Sequence, residues 1–142
     1  MPTIRFTKSR ANKLKRTLKK DLSYNRKYYT KYKDIKKYFK IFNKVVFEDK
    51  LSPFNEIEIK EIRDRDIKYC YGQVVILEWK RKGTRVYKLE MQPYYKSKKE
   101  FLNTLVHEMV HLYQMANLGD TGNHNSIFYG FEERVNLAGL SL

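Results

Sequence analysis

His107 and His111 stand four residues apart in the run His107-Glu108-Met109-Val110-His111. On an α-helix, side chains at this spacing lie on one face, so both imidazoles can reach a single ion. Imidazole nitrogen suits Zn²⁺. Glu108 follows the first histidine directly, which sets it beside the ion rather than on it, where a carboxylate can take a proton from a metal-bound water. The chemistry this spacing supports is hydrolysis, with one Zn²⁺ per chain and Glu108 as the catalytic base. A surface helix that happens to carry two histidines is the competing reading. Against it, Met109 and Val110 are apolar, and all three histidines of the chain fall between positions 107 and 124.

A catalytic zinc keeps three protein ligands and one open position, so a third ligand is required. Gly at 114 and His at 117 would continue one known pattern, but the chain has Gln114 and Asn117. Glu132 and Glu133, 21 and 22 residues past His111, are permissible carboxylate ligands from a later helix. His124, 13 residues past His111, is the ligand preferred here, on condition that the loop before it folds back. Cys70 lies far upstream and is read as a small apolar filler; Trp79 is read as core.

These residues need elements to hold them. Ser97-Lys98-Lys99-Glu100 has the form of a capping box. Phe101, Leu102, Leu105, Met109, Leu112 and Met115 continue at helical spacing as far as Gly119, which predicts a helix over 98–117. Asp120 to Asn125 reads as a polar loop, and a last helix starts near Ser126. Upstream, Tyr32, Ile35, Phe39, Phe42 and Val46 predict a helix over about 31–48. Ile57 and Ile59, with Ile62 near them, suggest a strand. Residues 69–79 and 85–91 are β-branched, aromatic or alternating, and read as a hairpin turning at 81–84. Helices and strands together make an α+β domain with a small antiparallel or mixed sheet.

The 142 residues suit one domain, and a hydrophobic fraction of 42% suits a folded one. One cysteine, no apolar signal-like N-terminus and no run of roughly 18 apolar residues lead us to expect a soluble intracellular protein. The formal charge of +14 is unevenly placed: residues 1–40 carry +13 and residues 41–142 only +1. This divides the chain into a basic, Tyr-rich N-terminal arm over 1–30 and a domain over 31–142. In the arm, Leu14, Leu18 and Leu22 share one helical face. Lys13, Arg16, Lys19, Lys20, Arg26, Lys27, Tyr28 and Tyr29 are the candidate nucleic-acid contacts, since cations pair with phosphates while rings stack on bases. DNA, single-stranded DNA in particular, is the partner this favours. A solvated basic segment and a membrane-surface helix are the alternatives.

The chain resembles the SprT-like family, which includes the Spartan proteases. The resemblance rests on His107, Glu108 and His111, on His124-Asn125-Ser126-Ile127-Phe128 after them, and on Phe42-Asn43, Phe47 and Lys50-Leu51 before them. It covers about residues 35–135. It implies a zincin-like α+β zinc domain with an open groove, peptidase activity, and, for the Spartan branch, action on proteins bound to DNA. Asn125 stands where the family usually has Gly. No accessory zinc finger follows before Leu142, so nucleic-acid contact is expected from the arm or the domain surface. A donor for the tetrahedral oxyanion is expected from Tyr113, Tyr129 or Asn125. The function expected is zinc-dependent endopeptidase action on nucleic-acid-associated protein substrates. The competing class is a non-catalytic zinc-containing nucleic-acid-binding or assembly protein, such as one of a viral particle.

Overall fold

The computed structural model describes residues 7–23, 26–62, 70–79, 84–120 and 122–142, the side chains of residues 78, 79 and 84 excepted. The order is α1 (Lys8–Ser23), β1 (Tyr28–Tyr29), α2 (Tyr32–Val45), β2 (Glu56–Ile59), β3 (Gly72–Trp79), β4 (Thr84–Met91), β5 (Tyr94–Tyr95), α3 (Lys98–Leu112) and α4 (Ser126–Asn136). It is a small α+β domain with four helices and a small mixed sheet.

α3 is the centre of the packing. Ser97 starts it as the capping box predicts: its side chain accepts the Glu100 N–H at 3.2 Å. Phe101, Leu102, Leu105, Val106, Met109, Val110 and Leu112 are all buried, against α1, α2, β3 and the two-stranded ribbon. The α-helix ends at Leu112, earlier than the expected 117. Tyr113–Asn117 continue as a π-helical turn, in which the Leu118 N–H reaches back to the Tyr113 carbonyl at 3.2 Å. Apolar periodicity carries no mark of such a turn, because the side chains keep a helical order while the hydrogen bonds lengthen by one residue. Gly119 follows with φ of 63°, a left-handed conformation that suits a helix stop.

β3 and β4 pair antiparallel from Gly72↔Met91 to Trp79↔Thr84, as a hairpin requires, and β2 joins β4 in parallel. Of the expected turn residues 81–84, 81–83 lie outside the described residues and Thr84 is the first residue of β4; the side chain of Trp79 also lies outside them. β1 and β5 form a separate antiparallel ribbon, Tyr28↔Tyr95 and Tyr29↔Tyr94. Two-residue strands are too short to show alternation in a sequence.

The basic segment, expected as an arm ahead of the domain, is docked on the same core. Leu14 and Leu18 are fully buried in the core cluster, with Leu22 packed partly against it. Burying each leucine contributes about 1.5–3 kcal/mol. Lys98 at the start of α3 adds an ion pair to Asp21 of α1 at 2.8 Å. The charge boundary near residue 31 is therefore one of surface composition, and α1 shares the hydrophobic core. Tyr32, counted in the apolar stripe of α2, is exposed instead, and its hydroxyl accepts the Ile59 N–H at 3.3 Å.

The turn after α2 explains the Phe42-Asn43, Phe47, Lys50-Leu51 pattern. Phe42, Phe47 and Leu51 are buried. The Asn43 carboxamide accepts the Leu51 N–H at 3.0 Å and donates to the Leu51 carbonyl at 2.9 Å, closing the turn. Asn117 donates to the Lys50 carbonyl at 2.7 Å and ties the π turn to it.

Gly72 is where the sheet comes closest to α3. A Cβ there would stand 2.8 Å from Thr104 Cγ2 and 3.2 Å from the Glu90 carbonyl oxygen. Gly72→Ala should therefore destabilise the fold by about 1–3 kcal/mol in urea titrations. Adding Thr104→Ser, which removes the offending methyl, should recover part of that loss. No loss in the single variant would contradict the close approach.

Candidate metal centre

α3 presents His107, Glu108 and His111 in its last two turns. Its buried apolar face fixes the rotation of the helix, which leaves both histidines half-buried and turned towards the loop before α4. Their Nε2 atoms approach to 3.0 Å. His124, on that loop, completes the group: one ring nitrogen from each of the three lies within 4.8 Å of the others. Three histidines are thus positioned to bind a metal ion. Among the described residues no carboxylate or thiol joins them, so neither Glu132 nor Glu133 is brought to the cluster. Cys70 is elsewhere, its Sγ donating to the Gly72 carbonyl at 3.3 Å.

Phe128, in the first turn of α4, is the floor of the cluster. Its ring is stacked on His124 at 4.2 Å and on His111 at 5.1 Å, and meets His107 edge-on at 5.0 Å between centres. A buried apolar ring touching all three imidazoles restricts their rotation and keeps water from one side of them. Asn125 is the N-cap that sets Phe128 there: its Oδ1 accepts the N–H groups of Ile127 and Phe128 at 3.1 and 3.2 Å. The departure from Gly at this position thus has a structural job.

Burial governs the charge states. His107 is pushed down to about 4, first by burial and then by the neighbouring His111 and His124. His111 is also lowered, mainly by burial. Neutral imidazoles are what a metal needs. Glu108, with Oε1 4.0 Å from His107 Nε2, is raised to about 8 by burial. His107 and Glu108 open onto a groove also lined by Tyr71, Gly72, Asn103, Thr104 and Ser141.

Of the candidate oxyanion donors, Tyr113 is excluded by packing: it is buried against Phe47 and Phe131. Asn125 is committed to its cap and, through Nδ2, to Asp120 Oδ2 at 2.8 Å. Tyr129 is exposed, edge-on to Phe128 at 5.5 Å. Sequence reasoning missed Gln114, which enters it only as a departure from glycine. Its side chain is fully buried and bonds His111 Nδ1 at 3.0 Å. The signal available was a polar residue three positions past a ligand on the same helix.

The basic candidates divide. Lys13, Arg16, Lys19, Lys20, Arg26 and Lys27 are exposed. Tyr29 is exposed too, 6.5 Å from Tyr94 across the ribbon, with Lys27 Nζ 4.0 Å from the Tyr94 ring centre and 5.3 Å from that of Tyr29. Tyr28 is a correction: it is buried, its ring lies 4.6 Å from Phe101, and its hydroxyl donates to Asp34 at 2.6 Å, so no base can stack on it. Lys20, Lys27, Tyr29, Lys31 and Lys98 line one depression, along with Asp21 and Asp34. No described helix is long and apolar enough to cross a membrane.

The model of the SprT-like family matches residues 35–141, a span that contains Glu108 and all three histidines. No curated protein and no solved structure was found to match the chain.

The pKa directions fix a pH dependence for the metal-free protein. Folded Glu108 holds a proton up to about pH 8, whereas the unfolded chain releases it near 4.5. The folded state therefore binds more protons in that window and loses roughly 1.4 kcal/mol of stability per pH unit as pH rises. His107 acts oppositely, but only between about 4 and 6.5. From pH 6.5 to 8, metal-free Glu108→Gln should melt above the parent by a margin that widens with pH. Parallel melting curves across that range would contradict the buried carboxyl.

Proposed function

We propose that this chain, which belongs to the SprT-like family, is a zinc-dependent endopeptidase with a zincin-like fold that acts on proteins associated with nucleic acid. The observation that carries the reading is the convergence of His107, His111 and His124 within 4.8 Å, with Glu108 buried beside them on a groove. Three imidazole nitrogens are a donor set that zinc accepts, and the count is that of a catalytic site with one position left for water.

Zinc held there supplies a Lewis acid and a water acidified towards roughly pKa 7. The chain's own residues do the rest. Glu108 takes the proton from the attacking water and passes it to the leaving amine. β3 has only β4 as a strand partner among the described residues, and its first residue lines the groove. An extended peptide laid beside it would pair with the free edge and hold its carbonyl over the site. Phe128 and the apolar face of α3 exclude water from behind the ligands.

The partner class is read from the opposite end of α3. Lys98 lines the basic depression, and His107 lies nine residues on, about 14 Å along a helix. Nucleic acid held by Lys20, Lys27 and Lys31, with a base on the exposed Tyr29 and Tyr94 rings, would present a bound protein to the groove at that distance.

Two outcomes are expected. Glu108→Gln should retain one zinc per chain and lose at least about 100-fold in cleavage of a DNA-binding protein; full activity would sink the mechanism, and zinc binding without cleavage by the parent would favour a non-catalytic role. Lys20→Ala with Lys27→Ala should weaken single-stranded DNA binding and flatten its dependence on salt, while cleavage of a short unstructured peptide is unchanged. Binding indifferent to salt in the parent would remove nucleic acid as the partner.

A further inference from the structure

Gln114 is fully buried, yet every polar atom of its carboxamide is engaged. Oε1 lies 3.0 Å from His111 Nδ1. Nε2 lies 3.1 Å from Asp120 Oδ2, 2.9 Å from the Asn123 carbonyl and 3.0 Å from Asn125 Oδ1. All three of these neighbours are acceptors, and they leave one orientation open to the amide: NH₂ towards the loop, oxygen towards the histidine. An acceptor at His111 Nδ1 requires a proton on that nitrogen. The lone pair of His111 is then on Nε2, the atom that faces His107 Nε2 at 3.0 Å.

The geometry points to Gln114 as a positioning residue for the metal site, one that fixes the His111 tautomer and, with the same side chain, holds the loop that carries His124. This deepens the zinc reading and rests on it. The two tasks meet here because the π turn brings the chain back: the Asp120 N–H donates to the Gln114 carbonyl at 2.8 Å, so Asp120 is gripped by main chain and side chain together. Asp120 in turn accepts from Asn125 Nδ2 at 2.8 Å, and Asn125 caps α4 beneath Phe128. A glutamate at 114 would keep the acceptor for His111 but would set a second carboxylate against Asp120 and two further acceptors. A neutral amide serves both sides.

The test uses the full chain and the variants Gln114→Met and Gln114→Glu. Two quantities are read: the zinc dissociation constant by chelator competition, and the His111 tautomer by long-range ¹⁵N–¹H correlation in the metal-free protein near pH 7.5. The parent should have the proton of His111 on Nδ1. Gln114→Met should lose that preference and weaken zinc binding by roughly 10–100-fold. Gln114→Glu should preserve the Nδ1–H tautomer. An unchanged tautomer and unchanged zinc affinity in the methionine variant would overturn the proposal. So would a parent with the proton on Nε2, even if the methionine variant failed to fold. Loss of peptidase activity in the parent would instead count against the enzymatic reading, since neither measured quantity depends on turnover.

Discussion

Three ring nitrogens lie within 4.8 Å of one another, although only two of the histidines share a helix. Neutral imidazoles gain little from such proximity without an ion between them, so the arrangement must be imposed by what surrounds it. Two supports do this. Phe128 stacks beneath the rings, and the buried Gln114 amide links His111 to the loop before His124. Both supports lie downstream of His111, Phe128 in the first turn of α4 and Gln114 where the α-helical hydrogen bonding of α3 gives way to the π turn. The chain can reverse there without breaking the helix abruptly, and the third histidine returns to the first two.

The remainder of the domain serves to hold α3 still. Its apolar residues are buried on several sides, by α1, α2, the mixed sheet and the Tyr28–Tyr95 ribbon. Gly72 lets the sheet approach at Thr104, one turn before His107, so the groove wall and the ligand helix are set by one contact. The same helix carries the two chemistries apart from each other. Lys98 faces the basic depression at its start, and Glu108 is desolvated near its end. A compact domain thereby separates a strongly cationic surface from a nearly neutral site without a linker.

Much of this was legible in the sequence because it rests on local periodicity. His107 and His111 meet through the four-residue spacing of a helix, Ser97 and Glu100 through a cap, and β3 with β4 through alternation. His124 was reachable by counting histidines and by resemblance. What was hidden depends on longer-range geometry. The π turn leaves no period of its own. The ribbon strands are two residues each, and the parallel pairing of β2 with β4 joins segments about thirty residues apart. Tyr28 looked like Tyr29 in a basic run; only the fold puts one ring against Phe101 and the other in solvent. The charge of residues 1–40 suggested an arm because seven cations among the sixteen residues of α1 mask two buried leucines on the remaining face. Gln114 falls outside any pattern of metal-binding residue types because its amide bonds His111 from behind.

On the proposed reading three histidines, and no other described side chain, hold one zinc ion with a position left open. Zinc K-edge X-ray absorption on the metal-loaded full chain tests it most directly. Three imidazole nitrogens and one light oxygen donor at about 2.0–2.1 Å are expected, with one imidazole lost in His124→Ala. A sulfur donor near 2.3 Å, or an unchanged imidazole count in that variant, would contradict it.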